Sequence, residues 1–210
     1  LAGLAQAILV GSAPLGRASR FVIHDPKRRV IQAACFEDRV LHHAILNLVE
    51  ARFETMLVAS SYACRPGKGG HRAVSAVQRT LRGWPWVVQV DVDGYFPSIR
   101  HDLLRALLAR RFKGADFLAL LARILERGAP DGRGLPIGAL TSQHFANAFL
   151  DSADRLILQH LGTGGHVRYM DDIVWGAASR AAAEESLAAL EAHLQADCDL
   201  RLKQRRRLVR

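Results

Sequence analysis

Two neighbouring carboxylates, Asp171 and Asp172, place the strongest condition on how this chain can fold. The segments on either side, His166-Val167-Arg168-Tyr169 and Ile173-Val174-Trp175, read as two strands, which puts the acids at the tip of a hairpin. Anions side by side are costly unless something positive neutralises them, and a divalent metal ion is the usual answer. A solvated acidic turn is the competing reading. It loses weight only if a matching carboxylate lies elsewhere in the chain.

A second acidic strand supplies that carboxylate. Trp86-Val87-Val88-Gln89-Val90-Asp91-Val92-Asp93 is β-branched and bounded by Gly83, Pro85 and Gly94, so it reads as a buried strand ending in acid. Asp91 and Asp93 would share one face if the strand stayed regular. Asp91 reads as a ligand, whereas Asp93 reads equally as a solvated strand end. Tyr95-Phe96-Pro97-Ser98 then reads as a turn, with Ser98 as N-cap of a helix from Arg100 to Phe112. Carboxylates from separate strand ends can hold two Mg2+ ions about 4 Å apart, the arrangement used for in-line phosphoryl displacement. Neither the histidines nor Cys35, Cys64 and Cys198 have the spacing of a zinc site.

These residues resemble a known family. Val90-Asp91-Val92-Asp93-Gly94-Tyr95-Phe96-Pro97-Ser98-Ile99 is similar to the first catalytic motif of reverse transcriptases, and Tyr169-Met170-Asp171-Asp172 to their second. Between them, Gly134-Leu135-Pro136-Ile137-Gly138-Ala139-Leu140-Thr141-Ser142-Gln143 resembles the family's nucleotide-pocket motif. Pro26 to Ile31 with Asp38-Arg39 resembles the first fingers motif, and Tyr62 to Gly69 the second. The resemblance runs from about residue 20 to 205, and five motifs in order make it specific.

The resemblance implies an α+β fold: a right-hand polymerase palm, with an antiparallel sheet backed by helices, carrying fingers elements. Residues 1–85 are expected to be mainly fingers and 86–210 mainly palm, with the family's helical thumb missing. It implies an RNA-directed DNA polymerase in which Asp91 and Asp171 bridge two Mg2+ (or Mn2+) ions, Asp172 assists and the Val92 carbonyl coordinates. Phe96 would lie beneath the sugar and exclude a ribose 2′-OH. Lys27, Arg29, Arg65 and Lys68 would meet template and triphosphate, and Ile137, Gly138 and Gln143 would line the nucleotide pocket. Expected partners are template RNA, a DNA or RNA primer and deoxynucleoside triphosphates, with room for a small basic accessory protein.

One departure narrows the family. Many reverse transcriptases place Gln before the pocket glycine and Pro after the serine; here those positions hold Ile137 and Gln143. That form, followed by Phe145-Ala146-Asn147, is similar to the enzymes of diversity-generating retroelements, which copy RNA with errors at adenines. Ile offers only apolar contact where an amide could position the incoming nucleotide, which weakens discrimination. Group II intron, retron and phage-defence polymerases are the alternatives within the superfamily. A decayed nucleic-acid-binding module and a metal-dependent nuclease are the alternatives outside it.

Charge fits a polyanionic partner: the net charge is +9 and the pI about 10.3. Lys203, Arg205, Arg206 and Arg207 read as a solvated basic run. Three separated cysteines suggest no disulfide framework and a reducing, cytoplasmic setting, and no apolar run reaches the roughly 20 residues of a membrane span. Leu1 to Val10 reads as a core segment of a longer chain. Helices are expected over Asp38–Glu54, His71–Arg82, Ala115–Glu126 and Arg180–Asp197, with the longest over Thr141–Leu161 and an edge strand at Leu200-Arg201-Leu202.

Overall fold

A computed structural model describes residues 15–24, 28–129, 131–204 and 207–210, together with 3, 6 and 7. The expectation for Leu1 to Val10 therefore falls mostly outside the described residues, as do Asp25, Pro26 and Lys27. The fold is α+β with antiparallel sheets, and the chain forms two contact units. One comprises Leu1–Arg52 with Ile99–Phe145, the other Phe53–Ser98 with Ala146–Arg210.

In the first unit, β1 (Ser19–His24) and β2 (Arg28–Ala33) form a hairpin with Phe21 opposite Ile31 and Val22 opposite Val30. Helix α1 (Phe36–Met56) opens with Glu37 and Asp38, favourable at the positive end of the helix dipole. Its buried arc holds Leu41, His42, Ile45, Leu46 and Val49. Leu48, expected on the inward stripe, is 81 % exposed. At 100° per residue it falls outside an arc centred between Ile45 and Leu46, a centre that packing sets and hydropathy alone does not locate.

Helices α4 (His101–Arg111) and α5 (Ala115–Gly128) flank a contact between Phe112 and Phe117, whose rings meet edge to face at 5.8 Å. Ser98 does not cap α4. The cap position is Arg100, without a side-chain cap bond, and Asp102 in the first turn pairs with Arg100 at 2.5 Å. Ser98 instead closes the short helix α3 (Tyr95–Ser98), where a turn was expected.

The single helix expected over Thr141–Leu161 is two helices, α6 (Leu140–Phe149) and α7 (Asp151–Gln159). Leu150 between them has ψ 2°, off the helical value. Asp151 then accepts the Val58 amide at 3.1 Å, so its carboxylate serves a distant loop.

The second unit holds a four-stranded sheet in the order β4-β5-β3-β6, formed by β3 (Trp86–Asp91), β4 (Thr163–Tyr169), β5 (Asp172–Ala177) and β6 (Arg207–Val209). All neighbours are antiparallel. Alternation sorts the faces. Val88, Val90, Ile173 and Trp175 are buried on one, where Trp175 donates to Ser186 of α8 (Arg180–Asp197) at 3.0 Å. Helix α8 has the expected bounds and a Ser179 cap that accepts from Ala182 at 3.1 Å. The other face, bearing Val87, Val167 and Val174, lies with α2 (Gly70–Gly83) around an apolar groove.

The expected edge strand at Leu200–Leu202 reduces to one bridge, Leu202 to Val92. The edge strand on that side is β6, which begins at Arg207, the last residue of the run read as solvated charge. Leu208 and Val209 pair with Val88 and Val87, giving the sheet apolar surface that a count of arginines conceals. Among the described residues no helix is long and apolar enough to cross a membrane.

Candidate active site

The hairpin β4–β5 turns through Met170 and Asp171 alone, a two-residue loop. Met170 has φ +55°, a left-handed conformation uncommon outside glycine. The register of β3 on β5 sets Asp91 directly opposite Asp172, and Asp172 is also the partner of Tyr169. Cross-strand partners share a face, so two acids distant in sequence stand side by side. The Val92 amide donates to the Asp171 carbonyl at 3.3 Å and ties the third acid to the same strand ends. Asp93 does not follow by strand alternation: β3 ends at Asp91, and the Asp93 amide donates to Arg201 at 2.8 Å.

Electrostatics mark the cluster. Burial raises the Asp171 carboxyl above the usual range, and the charges of Asp91 and Asp172 push the same way. Asp91 Oδ1 is buried without a hydrogen-bond partner. Asp91 Oδ2 accepts from the Lys203 ammonium, and that bond raises the Lys203 pKa. The Lys203 amide also donates to the Asp91 carbonyl at 2.8 Å. Among the described residues no three acidic, His or Cys side chains yet surround one metal position. Even so, mutually repelling oxygen donors and an orphaned Asp91 oxygen fit a hard divalent cation such as Mg2+.

The remaining residues singled out by sequence differ in what surrounds them. Phe96 is half-buried, edge-on to Tyr95 at 5.8 Å, and the Tyr95 hydroxyl donates to the Ala146 carbonyl at 2.5 Å. All three nitrogens of the Arg65 guanidinium are engaged: with Glu54 at 2.9 to 3.1 Å, Val58 at 2.6 Å and Ser61 at 2.9 Å. In this structure Arg65 braces its own loop. The Lys68 ammonium donates to the Ala59 carbonyl and lies 4.8 Å from the Tyr62 ring centre. Partial burial lowers its pKa, with the Arg65 charge adding to the effect.

In the other unit, Arg29 is an exposed β2 residue opposite Ile23. The Ile137 carbonyl accepts the Gln32 amide at 2.8 Å. Gly138 has φ +114°, and a Cβ there would lie 3.0 Å from the Gln32 carbonyl oxygen, so glycine is required by conformation and by the approach to β2. Gln143 is half-buried on α6.

Sequence reading missed two residues at the acids. Lys203 falls in the basic run that the sequence reads as solvated. Arg168 looked like a polar strand position, yet it is fully buried with Asp154 at 2.8 Å. An arginine two residues before the acidic turn is the available signal.

Comparison with known proteins agrees with this geometry. Residues 24–205 match the family model for reverse transcriptase (RNA-dependent DNA polymerase). Over 127 residues, 57 % of this chain and 16 % of the relative, the sequence is 29 % identical to a 91 kDa protein in the cob intron of Schizosaccharomyces pombe. Over 140 residues, 63 % of this chain and 23 % of the relative, it is 26 % identical to the group II intron-encoded protein LtrA of Lactococcus lactis. The chain thus spans less than a quarter of either relative. The structure of apo telomerase from Candida tropicalis, truncated from its C-terminal domain, shares the fold: TM-score 0.65 at 12 % identity, over 92 % of this chain and 50 % of that one. A match that takes in both acidic strand ends and everything between them makes this chain a member of the reverse transcriptase family.

Proposed function

We propose that this chain carries the polymerising centre of an RNA-directed DNA polymerase. The observation that carries the reading is the register that pairs Asp91 with Asp172 and draws Asp171 to the same strand ends. Asp91, Asp171 and Asp172 would hold two divalent ions, Mg2+ or Mn2+, with the Val92 carbonyl as a further oxygen donor. Such ions lower the pKa of the attacking primer hydroxyl and neutralise charge on the departing pyrophosphate. The three acids supply the negative charge that localises cations there. The Lys203 ammonium balances the charge of Asp91. Phe96 would present a rigid ring to the sugar and select deoxynucleotides. Arg29, Lys27 and Lys68 would neutralise phosphates of template and triphosphate, contacts that position without reading sequence. Arg65 would act by shaping the Lys68 loop.

Residues 1–85 are assigned mainly to fingers and 86–210 mainly to palm, with the acids on the palm strands β3 and β5. Template RNA, a primer and deoxynucleoside triphosphates are the partners. Primer extension on an RNA template tests the reading. Metal-dependent incorporation by the parent protein and its loss in Asp91→Ala are expected; extension unaltered in that variant would refute it.

For the biological setting, the Ile137 and Gln143 pattern supports a diversity-generating retroelement. A group II intron enzyme is the second reading, favoured by the intron-encoded relative. Ile137→Gln distinguishes them. Restoring a polar positioning contact should lower misincorporation opposite template adenine by about tenfold, one hydrogen bond's worth of discrimination. Sequencing of the products reads the change, and an unaltered error spectrum would count against the mutagenic reading.

A further inference from the structure

Beneath the acidic turn lies a fully buried charged network that the proposed chemistry does not use. Arg168 sits on β4, three residues before Asp171, with its side chain closed off from solvent. Its Nε donates to both oxygens of Asp154 at 2.8 Å. Nη2 donates to the Asn147 carbonyl at 2.9 Å, and Nη1 to Asn147 Oδ1 at 3.1 Å. Nη1 also donates to the Met170 carbonyl at 3.1 Å. The other partners are held in turn. Asn147 donates to the Ala63 carbonyl at 2.6 Å. His166 stands 3.3 Å from Asp154 Oδ1 and shares a 2.7 Å hydrogen bond with Ser60. Burial works to raise the Asp154 carboxyl, yet the Arg168 charge and its hydrogen bonds, with His166 close by, hold it below the usual range.

A buried ion pair is a poor source of net stability, because desolvation of two charges offsets most of their attraction. This one has a different consequence. Met170 adopts a left-handed conformation that a non-glycine residue reaches only at a cost. Its carbonyl begins the peptide that carries Asp171. A planar guanidinium with donors in a fixed fork can hold that carbonyl against Asn147 and Asp154 at once, which a flexible ammonium cannot. We infer that Arg168 is a positioning residue: clamped by Asp154 and Asn147, it locks the Met170 peptide and so fixes where Asp171 presents its carboxylate. The inference rests on the proposed polymerase reading for its catalytic consequence, but not for its structural one.

Two variants of the full chain test it. Arg168→Lys leaves a cation beside Asp154 but cannot make the fork. Arg168→Met with Asp154→Leu removes both charges together, so that no unpaired ion is left buried if the lysine variant fails to fold. Hydrogen exchange at the 170–172 amides should accelerate by about tenfold or more. The kcat for incorporation should fall about 10- to 100-fold, the range for a lost charge-assisted hydrogen bond, while KM for the nucleotide stays near the parent value. Folded variants with parental exchange at 170–172 and parental kcat would overturn the inference, whatever their melting temperatures. If the parent protein extends no primer, the polymerase reading fails, and the exchange measurement alone decides whether Arg168 locks the turn.

Discussion

Asp171→Asn should lower nucleotide incorporation by about a thousandfold and at the same time leave the metal-free fold more stable than the parent. Both effects come from one carboxylate. In the folded chain its pKa is raised, first by burial and then by Asp91 and Asp172. A raised value means that the folded state holds this proton more tightly than the unfolded chain does. Its contribution to stability is therefore complete below the ordinary carboxylate range and is lost as pH climbs through the raised value. At neutral pH the ionised Asp171 is a liability in the absence of a cation. Asparagine keeps the shape, cannot ionise and removes the repulsion. Thermal unfolding in EDTA should show a higher melting temperature for the variant at neutral pH, and the gap should close as pH falls below the ordinary carboxylate range. Added Mg2+ should stabilise the parent more than the variant, since only the parent has the full set of acids. Parental incorporation by Asp171→Asn would end the role given to this residue. A melting temperature equal to the parent's across the whole pH range would remove the electrostatic account of the cluster.

Gly176→Ala should destabilise the four-stranded sheet by about 2 kcal/mol or more, a fall in melting temperature of roughly 4–8 °C for a chain of this size. The Trp84 indole lies flat on backbone with no side chains. A Cβ on Gly176 would stand 2.1 Å from Trp84 Cγ, and one on Gly164 would stand 2.3 Å from its Cζ2. Gly165, at φ +58°, adds a third bare position beside the same ring. Trp84 cannot slide away easily, because its amide closes α2 by donating to Thr80 at 3.1 Å. Gly83→Ala is the control, since nothing lies within 4 Å of its Cβ position. A double-mutant cycle with Trp84→Ala should recover most of the Gly176 penalty once the ring is gone. Equal stability of Gly176→Ala and parent would mean that the indole has another seat.

The acids and the strands that bear them were legible because the signals are local. Tyr169-Met170-Asp171-Asp172 and its flanks carry a period of two, and Val87 to Val90 could hardly be anything other than a buried strand. The bounds of α8 were legible for the same reason, in the Ala-rich run from Arg180 to Asp197. Other features depend on partners far along the chain. Arg168 reads only as a polar position of a strand until Asp154 and Asn147 enclose it. Arg65 reads as a phosphate ligand until Glu54 and two carbonyls occupy it. Leu150 interrupts a continuous helical pattern just where Asp151 accepts the amide of the distant Val58. Arg207 reads as surplus charge until it pairs with Gln89 of β3 and carries Leu208 and Val209 onto the sheet edge.

Local pattern and residue chemistry thus determined the kind of chain this is: acidic strand ends, a hairpin between them, and oxygen donors suited to a hard cation. Only the tertiary structure decided that Asp91 meets Asp172 in register, that Lys203 neutralises Asp91 and that Arg168 supports the turn from below. Periodicity records which side of an element avoids water. The pairing of one charge with another depends on how distant segments pack, and a buried charge finds its partner through the fold.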